Sequence, residues 1–156
     1  MRKYDIVIAN SGEYYVNSRF HFRRKAENGR VIKLFTTTVK RLKDELKLKP
    51  AELGFLYKLL PYVHYDTNMI CADPFSKPEE IQFLNKRQIA WLVEMEEKKT
   101  SKTLDKLRKV GVVAETIRQN DKRDRIYTLN PYVFFRKSGQ PDDTLRGLFA
   151  STPYGK

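Results

Sequence analysis

Over the first 36 positions the apolar residues come in short runs or alternate with polar ones; beyond that they recur at helical spacing. Residues 5–9 form an apolar run closed by the turn cluster Asn10, Ser11 and Gly12, and Tyr14, Tyr15 and Val16 are β-prone. Residues 19–23 are aromatic and also β-prone. Asn28-Gly29 predicts a hairpin turn, because both residues tolerate positive φ, and residues 31–35 are its expected returning strand. Thr36, Thr37 and Thr38 offer a helix cap, after which Val39, Leu42, Leu46 and Leu48 follow at helical spacing. Pro50 ends that helix at Lys49 and opens the next, whose expected stripe is Leu53, Leu56, Tyr57, Leu60 and Val63, broken at Pro61. Residues 68–72 read as a short strand, and residues 73–78, with two prolines, as a loop.

The pattern is most specific from residue 84 to residue 130. Asn85 is an expected N-cap with Gln88 three residues later, as in a capping box, and Leu84 and Ile89 are spaced as a hydrophobic staple. Ile89, Leu92 and Val93 make the inner stripe of that helix, and Trp91 is expected to pack between helices. Leu104, Leu107 and Val110 mark one face of a second helix over residues 98–110, and Gly111 is its natural C′ residue. Residues 112–118 and 125–129 read as two strands joined by a polar turn, and Asn130-Pro131 stops the second. Helix, turn, helix, glycine and basic-tipped hairpin is the order of a winged helix-turn-helix. The fold class is therefore read as α+β: an N-terminal β-hairpin appendage over 1–36, a winged helix-turn-helix domain over 37–137, and a C-terminal helix and tail over 138–156. Asp142 and Asp143 suit the start of that last helix.

Charge adds a partner class. The 156 residues carry 31 Lys or Arg against 19 Asp or Glu, a net +12. The excess is uneven. Residues 1–49 hold 13 basic and 5 acidic residues, and residues 101–137 hold 10 and 4, whereas residues 50–100 hold 6 and 8. Two basic blocks around an apolar middle point to a folded core that presents basic elements to a polyanion, nucleic acid first. A helix enters the major groove with its N-terminal residues near base edges. Lys98, Lys99, Ser101 and Lys102 are then the base-edge or phosphate candidates, joined by Lys86, Arg87 and Lys106. In the hairpin, Arg118, Lys122, Arg123 and Arg125 are candidates for the minor groove or its phosphates.

Catalysis finds no support in the pattern. His21 and His64 are the only histidines, and neither has a paired ligand; each is read as a hydrogen-bonded structural residue. Cys71 is alone, which excludes an intrachain disulfide framework and a cysteine zinc site. No glycine-rich phosphate loop appears. The chain is expected to be no enzyme and to need no cofactor or metal. No apolar run approaches a membrane span and no leader pattern is visible, so the expectation is a cytoplasmic protein with no membrane partner.

Residues 84–90 and 103–113 resemble bacterial winged-helix DNA-binding domains of the MarR-like type. Two departures stand out: Glu94 where the inter-helix turn usually has glycine, and Glu96-Glu97 where the second helix usually begins with Ser, Thr or Asn. Residues 127–137, with Asn130-Pro131 and the aromatic stretch after it, and residues 145–149 are similar to the end of RepL-type plasmid replication initiators and related phage proteins of Gram-positive bacteria. That resemblance implies origin-region DNA binding, in replication initiation or as a regulator, and carries no catalytic residues. The expected partner is double-stranded DNA. A homodimer is expected to match two-fold sites, with residues 132–149 as the expected contact. The alternative is an interaction module that docks on a host replication or transcription protein.

Overall fold

A computed structural model describes residues 7–16, 32–45, 48–117, 125–137 and 139–154. The chain divides into two compact units, Met1–Val31 and Ile32–Lys156. In the first, β1 (Val7–Asn10) pairs antiparallel with β2 (Glu13–Val16) in the register Val7 to Val16. Ser11 and Gly12 make a two-residue turn at φ 50° and 81°, the positive values that a tight hairpin matching strand twist demands. Residues 19–23 and the Asn28-Gly29 turn lie outside the described residues.

The second unit runs β3 (Lys33–Leu34), α1 (Thr36–Asp44), α2 (Pro50–Leu59), α3 (Lys86–Leu92), α4 (Glu97–Lys109), β4 (Val113–Ile117), β5 (Arg125–Leu129), β6 (Phe134–Phe135) and α5 (Asp143–Phe149). Short 3-10 turns follow α2 at Leu60–Tyr62 and precede α3 at Pro78–Glu80. The architecture is α+β. One buried cluster draws on four helices and three strands: Leu42 from α1, Phe55, Leu56 and Leu59 from α2, Ile89 from α3, Leu104 and Leu107 from α4, and Val113, Tyr127, Leu129 and Phe134 from β4, β5 and β6. Among the described residues no helix is long and apolar enough to cross a membrane.

Several expectations need correction. β3 pairs antiparallel with β6, Lys33 against Phe135 and Leu34 against Phe134, a pairing the spacing does not predict; its expected hairpin partner lies outside the described residues. That pairing joins segments about a hundred residues apart, which local spacing cannot reveal. The three threonines do not cap α1. Phe35 is the N-cap residue and makes no side-chain cap, and the Thr38 hydroxyl donates to Tyr132 O at 3.2 Å. α1 stops at Asp44, short of Pro50, although Leu48 is still buried. Of the expected α2 stripe, Leu56, Leu60 and Val63 are buried and Leu53 packs against the core, but Tyr57 is exposed; Phe55 and Leu59 are buried in addition. Residues 69–71 form isolated bridges rather than a strand: Met69 to Thr128, Ile70 to Val63, and Cys71 to Phe83.

Pro50 does open α2, where its missing N–H costs nothing. Asn85 caps α3 as the spacing predicts, in both directions: its Oδ1 accepts the Gln88 N–H at 3.0 Å, and Gln88 Oε1 accepts the Asn85 N–H at 2.9 Å. Asp142 caps α5 by accepting the Leu145 N–H at 2.9 Å. A seven-residue helix such as α3 is unstable alone. Burial of Ile89 and Val93, roughly 1.5–3 kcal/mol each, outweighs its small propensity term.

Candidate nucleic-acid interface

α3 and α4 are joined by residues 93–96, and the turn is set by an unusual cap. Glu94 occupies the C′ position at φ 55°, its N–H donates to Trp91 O at 3.1 Å, and the Met95 N–H reaches Ala90 O at 2.9 Å. This is the Schellman arrangement, with glutamate where glycine is usual. Lys58 of α2 reinforces it, its ammonium donating to Val93 O at 2.8 Å. The same arrangement closes α4. Gly111 lies at φ 76°, its N–H donates to Arg108 O at 3.0 Å, and the Val112 N–H reaches Leu107 O at 2.9 Å.

Asn130 locks this second cap. Its side-chain amide donates to Gly111 O at 2.7 Å, and its Oδ1 accepts the Tyr132 N–H at 2.9 Å. Buried Asn68 does a similar service between β5 and β6, donating to Leu129 O at 2.8 Å and Phe134 O at 2.9 Å. β4 and β5 follow as an antiparallel hairpin in the register Val113 to Leu129, and the Ile70 N–H reaches Tyr127 O at 2.8 Å on the far edge of β5.

α4 turns Thr100, Leu104 and Leu107 inward. At about 100° per residue, the opposite side carries Lys98, Lys102, Asp105 and Lys109. The three lysines are exposed, and none has an ion-pair partner among the described residues. Lys99 and Arg87 are exposed and equally unpaired.

Of the remaining expected contacts, Lys106 and Arg125 are engaged within the molecule. Lys106 is held by Glu52 of α2, with Nζ 2.7 Å from both carboxylate oxygens. Burial pushes the Glu52 carboxyl up, but the Lys106 hydrogen bond, the Lys49 N–H and the charges of both lysines outweigh it and hold it below the usual carboxylate range. Arg125 pairs across the hairpin with Glu115, whose hydrogen bond and charge raise the guanidinium pKa; Arg108 approaches the same carboxylate at 3.8 Å. Arg118, Lys122 and Arg123 lie outside the described residues.

The starts of α3 and α4 enclose an open cleft of about 540 Å³ lined by Lys86, Glu96, Glu97, Lys98 and Ser101. Lys86 Nζ donates to Ser101 Oγ at 3.2 Å across it. Glu96 gives α4 no side-chain cap, so the first-turn N–H groups have no side-chain partner. Helix N–H groups and two lysines attract an anion here, while two carboxylates oppose it.

The buried groups are structural. His64 is wholly buried; its Nδ1 accepts the Asp66 and Thr67 N–H groups at 3.3 Å, which leaves Nε2–H to donate to Ser76 O at 2.9 Å. Burial and nearby Asp73 push the Cys71 thiol up to about 11. Within residues 132–149, Val133, Phe134, Phe135, Leu145 and Phe149 are buried in the chain itself, whereas Leu148 is exposed and Tyr132 half-buried. Trp91, expected between helices, is 84% exposed; Ile89, Ala90 and Val93 take the inner face of α3 instead. No protein-family model matches the chain, and no curated protein or solved structure matches it.

Proposed function

We propose that the chain is a winged helix-turn-helix protein that binds double-stranded DNA, as a replication initiator or a gene regulator of a plasmid or phage. The observation that carries this reading is the outward stripe of α4. Lys98, Lys102 and Lys109 stand free of ion pairs among the described residues on a 13-residue helix, about 20 Å long, that is backed by α3 and closed at its C-terminal end by the Gly111 backbone cap. A helix of that length fits the major groove, and rigid placement of its cations lowers the entropic cost of engaging phosphates. The hairpin β4–β5 follows where a wing would approach the flanking groove.

The stripe orders the lysines. Lys98→Ala and Lys102→Ala each weaken binding to all duplexes and each lower the salt slope by about 1. Lys106→Ala has a smaller effect, because its ammonium already serves Glu52. Glu79→Ala leaves affinity unchanged. Equal affinities across this set would remove the proposed face. Sequence preference is tested by incubating the chain with sheared source DNA at physiological salt, where non-specific binding is weak, and sequencing what is retained. One enriched cluster beside the chain's own gene is the expected result. A folded protein with no enrichment would sink the sequence-specific reading.

A further inference from the structure

The outer face of α3 is left without a role by the lysine stripe of α4. It carries Arg87, Gln88 and Trp91, all exposed, while Ile89, Ala90 and Val93 take the inner face. Tryptophan is rarely left this open to water, and its indole is a frequent anchor of protein interfaces. Trp91 is the single tryptophan of the chain. Arg87 stands four residues before it, without an ion-pair partner among the described residues, and Glu94 stands three residues after it. The Glu94 side chain is 85% exposed and only loosely held, 3.4 Å from Lys58.

The stripe has a cation at one end, an indole in the middle and, at the other end, an anion only loosely shared with Lys58. A phosphate backbone would gain at Arg87 and lose at Glu94. The same stripe turned end for end about a two-fold axis is its own complement: Arg87 meets Glu94, Glu94 meets Arg87, and the two indoles share the centre. We propose that this face of α3 is a contact between two copies of the chain, centred on Trp91 and paired by Arg87 and Glu94.

Its size sets its strength. An indole and its neighbours offer roughly 150–250 Å² per copy, so the buried total falls well short of the ~1,000 Å² of a stable interface. The chain is therefore monomeric when dilute and pairs through α3 only at high concentration, or where two copies are held side by side and the effective concentration is on the order of millimolar. The contact requires no DNA, so it stands or falls separately from the DNA-binding reading.

The test uses the full chain, sedimented from micromolar to millimolar concentration, with acrylamide quenching of Trp91 fluorescence measured on the same samples. The expected result is a mass that rises toward twice the monomer while Trp91 becomes less accessible, with a common midpoint. Trp91→Ala should weaken pairing by roughly tenfold or more. Glu94→Arg should weaken it by placing like charges together, and the double change Arg87→Glu with Glu94→Arg should restore it. Circular dichroism confirms that each variant is folded. A millimolar monomer with accessible Trp91 would overturn the proposal, as would pairing that Trp91→Ala leaves intact. So would protection of Trp91 by a random-sequence duplex bound to a single copy, which would make the face a nucleic-acid contact.

Discussion

Glu94 and Gly111 occupy equivalent positions, each one residue past a helix end and each at positive φ, yet they pay differently for it. An L-residue in that conformation costs roughly 1–2 kcal/mol, whereas glycine adopts it freely at some cost in the unfolded chain. Glu94→Gly should therefore stabilise the fold by about 0.5–1 kcal/mol, read as a higher urea midpoint at unchanged slope. Gly111→Ala should do the reverse and more strongly. Its new Cβ would meet Thr152 Cβ at 2.7 Å in addition to the backbone strain, so a loss of about 2 kcal/mol or more is expected. Asn130→Ala strands the Gly111 carbonyl and the Tyr132 N–H together, and about 2–4 kcal/mol should go with them. An Asn130→Ala protein as stable as its parent would remove the residue's role as the lock on α4. Both glycine-like positions, and Asn130 itself, are visible in the sequence as a glycine after a periodic run, a glutamate in a glycine's place and an Asn-Pro pair. Their shared backbone geometry is not, because it depends on which turn closes over them.

At the scale of elements, α2 works on the helical pair from behind. Glu52 accepts the Lys49 N–H at its own helix start and the Lys106 ammonium from α4, while Lys58 caps α3. Since the folded Glu52 carboxyl titrates below its unfolded value, its contribution is present above about pH 4.3, the ordinary glutamate value, and is lost as pH falls through the lower folded pKa. Glu52→Gln should flatten that part of the acid limb in urea titrations between pH 3 and pH 6, which are order-of-magnitude bounds on the window. The pair is partly exposed, so its worth is about 1 kcal/mol or less. On the proposed DNA-binding reading, Glu96 and Glu97 would oppose a bound phosphate. Neutralising them to Gln removes repulsion at the start of α4 and should raise duplex affinity a few-fold, most at low salt. The helices α3 and α4 and the hairpin β4–β5 are legible from spacing within a residue or two, because each buries a face that its own sequence marks. The exposure of Tyr57 in α2, the β3–β6 pairing and the exposure of Trp91 are not. A strand of two residues carries no period, and an aromatic residue on an outer face looks the same in sequence as one on an inner face.

For the whole molecule, the net charge of +12 overstates what a polyanion meets. Lys106, Arg108, Arg125 and Lys137 answer carboxylates of the chain itself. Apart from Arg87 on the outer face of α3, the surface of α3 and α4 offers Lys86, Lys98, Lys99, Lys102 and Lys109, five cations without an ion pair among the described residues. Each phosphate neutralised on a duplex contributes about −0.9 to the slope of log affinity against log salt, so this surface alone supports a slope of roughly −5. Arg118, Lys122 and Arg123 of the hairpin would add up to about −2.7 if all three reach phosphates. Fluorescence anisotropy of a labelled duplex from 50 to 300 mM salt, a range on the order of that over which counterion release is read, separates the two contributions. The parent chain should give a slope between roughly −5 and −8, and replacing the three hairpin residues by Gln should return it toward −5. A slope near −2 in the parent chain would mean that most of these cations never meet phosphate, and that the lysine stripe of α4 serves another partner. A slope of roughly −8 that the hairpin changes leave untouched would instead move the extra contacts to basic residues outside α3, α4 and the β4–β5 hairpin.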